Sequence, residues 1–597
     1  MSIAFNIDAS RWLSDFQSKL TAGNIEGVAS LFHENCFWRD LVAFTWNIKT
    51  LEGRLAIRDM LQTQLEDVAP SSFRLSDEAA EVDGSLECWF AFETRAGHGI
   101  GHLRLRDGRA WTLLTTMNAL KGFEEKSRHT RPLGASHGVE KHPRSWLDER
   151  VAEGAALGRE VQPYCLIIGG GQGGIALAAR LRQLDVPTLV VDRNSRPGDA
   201  WRNRYKSLCL HDPVWYDHLP YIDFPPNWPV FAPKDKIGDW LEMYTRIMEI
   251  NYWGSTEAVK ASYDEADREW NVILRRGDEN VIVRPKQLVL ATGVSGMPSV
   301  PKIPGFERFL GQQHHSSLHP GGHGFANKKC VVIGSNNSAH DISADLWAHD
   351  ADVTMVQRSS THVIRSETAV EHLFKPLYSE DALHAGITTE RADLIFASMP
   401  YKLMAQAHIP LFEKIAEVDK TYYERLRTAG FMLDFGDDGS GTFQKYLRRG
   451  SGYYVDVGAS DLIARGEIKL KSRVGVREIT EESVVLSDGT KLEADLIVYA
   501  TGFGSMNEWA AQIISREVAD KVGKCWGLGS GTTKDRGPWE GELRNMWKPT
   551  QLQALWFHGG NLHQSRHYSK YLSLQIKARK EGIPTPVYGL QEVHHKN

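Results

Sequence analysis

Cysteine is scarce in this 597-residue chain: six residues, Cys36, Cys88, Cys165, Cys209, Cys330 and Cys525, with no C-x-x-C pair among them. That spacing argues against a disulfide framework or a cysteine zinc site, and it fits a reducing compartment with inert buried thiols. No metal is expected. Long apolar runs are missing too. No window of about 18 uninterrupted apolar residues occurs, and the opening MSIAFNIDASRW has no basic stretch leading into an apolar one. A soluble, cytoplasmic protein without a membrane partner is therefore expected. Neither sign of charge dominates: 70 Lys and Arg against 75 Asp and Glu leave a formal −5, which offers no overall attraction to nucleic acid.

What is present is an ordinary globular composition, 42% hydrophobic and 24% charged, which excludes disordered, collagen-like and coiled-coil classes. The length suggests about four domain-equivalents. Residues 1–124 open with helical spacing at Trp12, Leu13, Phe16 and Leu20, followed by Leu55, Ile57, Met60, Leu61 and Leu65. Alternating stretches at 86–94, 102–106 and 109–117 then predict a curved antiparallel sheet, with Asp107-Gly108 as a hairpin turn. Residues 126–146, rich in charge, Gly, Pro and His without periodicity, read as an exposed tether.

The next segment, YCLIIGGGQGGIALAARLRQLDVPTLVVD (164–192), reads strand, glycine turn, helix, strand, acid. Gly169 permits the tight turn, Gly171 lets backbone approach a pyrophosphate, and Gly174 allows close helix packing. The helix N-terminus beginning at Gln172 faces the phosphates, while Asp192, followed by Arg193, is placed to accept from a ribose hydroxyl. A second such unit spans 328–360, with Gly334, Asn336 and Ala339 at the turn positions and Ser338 in the opening helix. Asn is the least costly non-Gly residue at positive φ, so the turn is expected to survive. Its second strand ends in Gln357-Arg358-Ser359, where an acid would repel a 2′-phosphate but Arg358 and Ser359 can hold one. Two apolar strands, 288–296 and 496–504, each end in Ala-Thr-Gly, the latter with Thr501 and Gly502. Because the second copy follows the second glycine unit, the first domain is expected to be split, with the second inserted into it.

Residues 163–597 resemble the flavin-containing and Baeyer–Villiger monooxygenases. The family fingerprint appears as FLGQQHHSSLHP, with Phe309, Gly311, His315, His319 and Pro320, and His319 departs from the usual aromatic residue. The segment 198–212 is similar to the family's flavin-covering loop at Gly198, Trp201, Asn203, Arg204, Tyr205 and Asp212, and the near-terminal 555–579 to its closing Gly-rich turn at Gly559, Gly560 and Asn561. Type II flavin-containing monooxygenases give the best overall match. The N-terminal part resembles the cone-shaped domain of the nuclear-transport-factor and polyketide-cyclase superfamily, where His33 or Asp40 would lie in the cone, and it is expected to act as a scaffold or dimerisation module.

The resemblance implies an α/β fold class: two Rossmann-like domains, the NADP domain inserted in the FAD domain, plus an N-terminal α+β cone. The ranges are 1–124 for the cone, 125–162 for a linker, 163–327 and 493–597 for the FAD domain, and 328–492 for the NADP domain. It also implies FAD and NADPH (NADH as well) as cofactors, with dioxygen and a small organic substrate as partners. Reaction through a flavin 4a-(hydro)peroxide would give Baeyer–Villiger oxidation, sulfur or nitrogen oxidation, or both. Arg365 is the candidate cation for a peroxyanion, a structural salt bridge being the alternative, and Asp212 would orient it. His218 is the loose counterpart of an Asn near the flavin, and His315 is a further catalytic candidate. The chain lacks the cysteine pair of a disulfide reductase. An amine N-hydroxylase and an uncoupled oxidase or flavin sensor stay open.

Overall fold

Asp107 and Gly108 take φ of 49° and 70°, the left-handed pair that a two-residue hairpin turn requires. They join Gly97–Arg106 to Arg109–Leu120. The computed structural model describes residues 2–134, 141, 142 and 144–595, and places these strands in a seven-stranded sheet with Phe32–Leu41, Ile48–Glu52, Ser71–Leu75, Ala80–Val82 and Ser85–Glu93. Phe32–Leu41 pairs in parallel with Arg109–Leu120, so the sheet is mixed rather than purely antiparallel. Rings pack against it: Trp12 stacks on Phe16 at 4.8 Å and Phe32 on Trp38 at 5.8 Å. His33 lies off this interior, whereas Asp40 is buried and accepts from Thr115 Oγ1 at 2.6 Å and Thr45 Oγ1 at 2.7 Å.

The expected tether is only partly irregular. Residues 135–140 and 143 lie outside the described residues, but Trp146–Ala156 is a helix capped by Ser145. Arg150 and Glu153 tie it down through Arg150 Nη2 to the Glu249 carbonyl at 2.9 Å and Asn251 Nδ2 to Glu153 at 3.0 Å.

Two parallel five-stranded sheets follow. The first has the order Tyr252–Trp253, Thr188–Val191, Cys165–Ile168, Gln287–Leu290, Leu555–Phe557. The second has the order Gln312–His315, Leu496–Tyr499, Lys329–Ile333, Asp352–Gln357, Lys469–Ser472. The strand 496–499, expected to return to the first sheet, therefore belongs to the second, in register with both Gln312–His315 and Lys329–Ile333. The first sheet is completed only by Leu555–Phe557, after the whole of the second. An apolar strand ending in Ala-Thr-Gly carries no mark of which sheet it joins, which is why order along the chain misled.

The helix Leu562–Lys580 is buried over most of its length although it carries Arg566, His563, His567 and Gln575. No helix among the described residues is long and apolar enough to cross a membrane.

Candidate active site

Gly169 has φ of 110°, and a Cβ there would lie 2.3 Å from the Ala291 carbonyl oxygen. At Gly174 a Cβ would meet the Gly169 carbonyl oxygen at 2.0 Å, so both positions exclude any larger residue. Gly171 differs. Its backbone is extended, with φ −77° and ψ −170°, and a Cβ would point into open space. It borders the start of the helix Gln172–Gln183, which no side chain caps, so its first N–H groups are left for a ligand. Asp192 accepts from Gly170 N at 2.6 Å and from Asn194 N at 2.7 Å, which sets its carboxylate beside the turn. Arg193 is exposed and lies 6.0 Å from the Trp509 ring. Trp201 Nε1 donates to Gln172 Oε1 at 3.1 Å, and Gln172 Nε2 donates to the Gly560 carbonyl at 3.2 Å. Gly559, like Gly171, leaves open space where a Cβ would be. Two backbone stretches, an uncapped helix and a carboxylate thus form a cradle that fits the pyrophosphate and ribose of a dinucleotide.

The second turn repeats this construction. A Cβ on Gly334, at φ 135°, would lie 2.3 Å from the Ala500 carbonyl oxygen, as Gly169 stands to Ala291. Each Ala-Thr-Gly strand thus closes over the first glycine of its own sheet. Asn336 has φ −102° and ψ −169°, so the expected left-handed conformation is not required there. The second turn position needs clearance, not positive φ, and extended backbone costs Asn nothing. The helix Asn337–Ala348 is also uncapped by a side chain, and Ser338 lies in its first turn. Arg358 and Ser359 are exposed just beyond the strand Asp352–Gln357, with the Arg358 stem beside Gly475.

His315 is committed elsewhere. Its Nε2 donates to the Gly502 carbonyl at 3.0 Å, and its Nδ1 accepts from Ser317 N at 3.2 Å. With both ring nitrogens engaged, it fastens the fingerprint loop to the Ala-Thr-Gly strand rather than reaching a substrate. Thr501 Oγ1 completes the tie by donating to the Ser299 carbonyl at 2.5 Å.

A cavity of about 60 Å³ is lined by Asp212, Tyr216, Phe374, Phe443, Tyr446 and Tyr453, together with Asn561 and Ile364. Asn561 caps the helix Leu562–Lys580, accepting from Gln564 N at 2.8 Å, and its own N donates to Tyr446 Oη at 3.0 Å. On the opposite side, Val455 N donates to Asn337 Oδ1 at 3.1 Å, which links the cavity wall to the second turn's helix. Burial pushes the Asp212 carboxyl up to about 6.

Arg365 is not in this cavity. Side chains alternate across a strand, and in His362–Arg365 it is Ile364 that faces the cavity. Arg365, 45% exposed at its side chain, pairs with Asp419 at 3.4 Å and lies near Glu367. The expectation that Asp212 orients it is corrected: Arg365 makes a structural ion pair. His218 is likewise behind the cavity, its Nδ1 donating to the Leu219 carbonyl at 2.9 Å. Burial, then the charge of Arg566, holds it below the usual histidine range.

A sequence of this kind has relatives. Residues 239–421 match the family model for pyridine nucleotide-disulphide oxidoreductases. The chain is 30% identical over 365 residues to the indole-3-pyruvate monooxygenase YUCCA1 of Oryza sativa subsp. japonica, covering 60% of this chain and 82% of that protein. The chain belongs to the flavin-containing monooxygenase family. It is also 30% identical over 345 residues to the probable indole-3-pyruvate monooxygenase YUCCA4 of Arabidopsis thaliana, covering 58% of this chain and 76% of the relative. Among solved structures, OTEMO in complex with FAD and NADP shares the fold at a TM-score of 0.50 and 18% identity, over 71% of this chain and 86% of that one.

Within this family member, the group that sequence reasoning missed is the support behind the cavity. Arg566 donates to both oxygens of Asp393 at 2.9 and 2.8 Å, and to the Tyr216 and His218 carbonyls at 2.8 and 2.7 Å. Burial alone would raise the Asp393 carboxyl, but Arg566 and His563 outweigh it and hold it well below its usual range. This fixes the short helix Val214–Asp217 that carries Tyr216. The only hint in the sequence is a density of polar residues in a helix with no solvent-facing stripe.

Proposed function

We propose that the chain is an FAD-dependent monooxygenase that takes reducing equivalents from NADPH and transfers one oxygen atom of dioxygen to a soft sulfur or nitrogen of a small organic substrate. The observation that carries this reading is the ring-lined cavity beside Asn561, where Asp212 is the charged group of the lining and no cation lines the wall among the described residues. Attack on a ketone carbonyl develops an oxyanion, whose stabilisation by a placed donor is worth about 2.7–4 kcal/mol. Heteroatom oxidation develops none. A cavity with a carboxylate and aromatic rings thus favours it over Baeyer–Villiger chemistry.

FAD would be held by the turn at Gly169, Gly171 and Gly174, by Asp192 at the ribose, and by Gln172, Trp201 and Asn561. NADPH would be held at Gly334, Asn336 and Ser338, with Arg358 and Ser359 at the 2′-phosphate. Bound flavin supplies redox and oxygen chemistry that no side chain offers. The protein's own contribution is enclosure. Trp201, Gln172 and the Gly560 carbonyl bridge three segments into one wall, and the rings of Tyr216, Phe374 and Tyr453 keep water from the adjoining cavity. The N-terminal unit is read as a nuclear-transport-factor-like scaffold, since its interior is filled by aromatic rings.

The test is to supply methyl phenyl sulfide and cyclohexanone separately, with NADPH and ¹⁸O-labelled dioxygen. Sulfoxide carrying one label is the expected product. Lactone as the main product would return the enzyme to the Baeyer–Villiger class, and NADPH consumption with neither product would make it an uncoupled oxidase.

A further inference from the structure

The Asp212 carboxylate faces the cavity without a hydrogen bond or ion pair to any described residue; its neighbour His211 is turned toward Asp341 at 3.6 Å. Five aromatic rings surround it: Tyr216, Phe374, Phe443, Tyr446 and Tyr453. An unpaired carboxylate in an apolar enclosure is costly unless something bound there compensates it. The faces of aromatic rings and a carboxylate attract the same kind of ligand, a soft organic cation.

We propose that this cavity anchors the ammonium group of a substrate whose oxidisable atom lies at its other end. The proposal rests on the monooxygenase reading above and narrows its substrate class. A quaternary ammonium has no lone pair to accept oxygen, so the anchored group is not the atom oxidised; it orients a thioether or tertiary amine further along the molecule. The cavity of about 60 Å³ has room for roughly four or five waters, comparable to a trimethylammonium head. Tyr216, Tyr446 and Tyr453 are all held neutral by burial and by the charge of Asp212 or of neighbouring tyrosines, so they present rings and hydroxyls rather than competing anions. Burial, then the charge of Asp212, pushes the carboxyl of Asp217, next to Tyr216, well above its usual range, against the opposing pull of Arg566.

The experiment titrates the FAD-loaded full chain with choline and with its neutral isostere 3,3-dimethylbutan-1-ol. The wild type should bind choline at least tenfold more tightly. Asp212→Asn should bring the ratio close to one, and Phe374→Leu should reduce it several-fold. Should Asp212→Asn not fold, Phe374→Leu decides. Equal affinities in the wild type, or a preference that survives in every folded variant, would overturn the proposal. So would competition by NADP⁺ combined with an equal loss of NADP⁺ affinity in Asp212→Asn, because the carboxylate would then serve the dinucleotide. Binding needs no turnover: choline selectivity without oxygenation of any thioether or amine would sink the heteroatom-oxidation reading and leave the anchor standing.

Discussion

Arg39 and Glu542, 503 residues apart in the chain, form a bidentate pair at 2.6 and 2.8 Å with both side chains almost wholly buried. Thr50 Oγ1 donates to the same carboxylate at 2.7 Å, and Arg39 Nη1 donates to the Ala397 carbonyl at 2.8 Å. The N-terminal unit is therefore built into the molecule rather than tethered to it.

Removing one partner of such a pair leaves an uncompensated buried charge, at a cost of about 3–5 kcal/mol. Arg39→Met should lower the urea midpoint accordingly, and adding Glu542→Leu should recover part of the loss. Deleting residues 1–124 should give aggregated protein. A soluble truncated chain that keeps its flavin, or an unchanged midpoint for Arg39→Met, would show that the pair is peripheral.

Gly171 leaves open space where a Cβ would be, in the cradle assigned to FAD. Gly171→Val should thus fold and yet be colourless, because the added methyls occupy ligand space and clash with no protein atom. Gly174→Val should fail to fold, since its Cβ would lie 2.0 Å from the Gly169 oxygen. Flavin absorbance and circular dichroism separate the two; a yellow Gly171→Val protein would move the FAD site.

Arg358 is exposed beyond the strand Asp352–Gln357. A charge-assisted hydrogen bond to phosphate contributes about 1.5–3 kcal/mol, so Arg358→Ala should lower the NADPH/NADH ratio of kcat/KM by roughly ten- to a hundredfold, mainly through NADPH. If the ratio holds, the 2′-phosphate lies elsewhere.

Arg365 points away from the cavity toward Asp419. Arg365→Ala should leave sulfide oxidation within about twofold while lowering stability, because it takes one partner from Asp419, whose side chain is buried. A hundredfold loss of oxygenation with unchanged NADPH consumption would bring the residue back to the reaction centre.

The Asp212 carboxyl, pushed up to about 6 by burial, ionises as the pH rises through that value. Choline affinity should therefore increase between pH 5 and 7, as the carboxylate forms, and then level off. The groups around it do not reverse the trend: burial holds Asp217 well above the usual carboxylate range and the tyrosines Tyr216, Tyr446 and Tyr453 above theirs, and His211 is turned to Asp341. An affinity that falls with pH over this range would contradict an ionised anchor.

The two nucleotide turns could be read from the sequence because their patterns are local. Gly169 and Gly334 sit in strand–turn–helix patterns complete within 164–192 and 328–360, although the carbonyls that make glycine obligatory there, those of Ala291 and Ala500, come from later strands. The Asp107-Gly108 hairpin was legible for the same reason, its two positive φ angles being a property of two adjacent residues. Arg365 was misplaced because its offset along the chain says nothing about which face of the strand is buried; pairing with Tyr453–Asp456 decides that.

By itself the sequence determined most of the elements, through periodicity and turn chemistry that act over a few residues, and its motifs carried a family resemblance that the relatives then bore out. Tertiary structure alone decided that 496–499 joins the second sheet, that Arg39 meets Glu542, that Arg566 fixes Asp393, and that five rings gather around an unpaired Asp212. Those relations join segments hundreds of residues apart. Burial and charge there depend on what the rest of the chain brings alongside, and no local pattern records it.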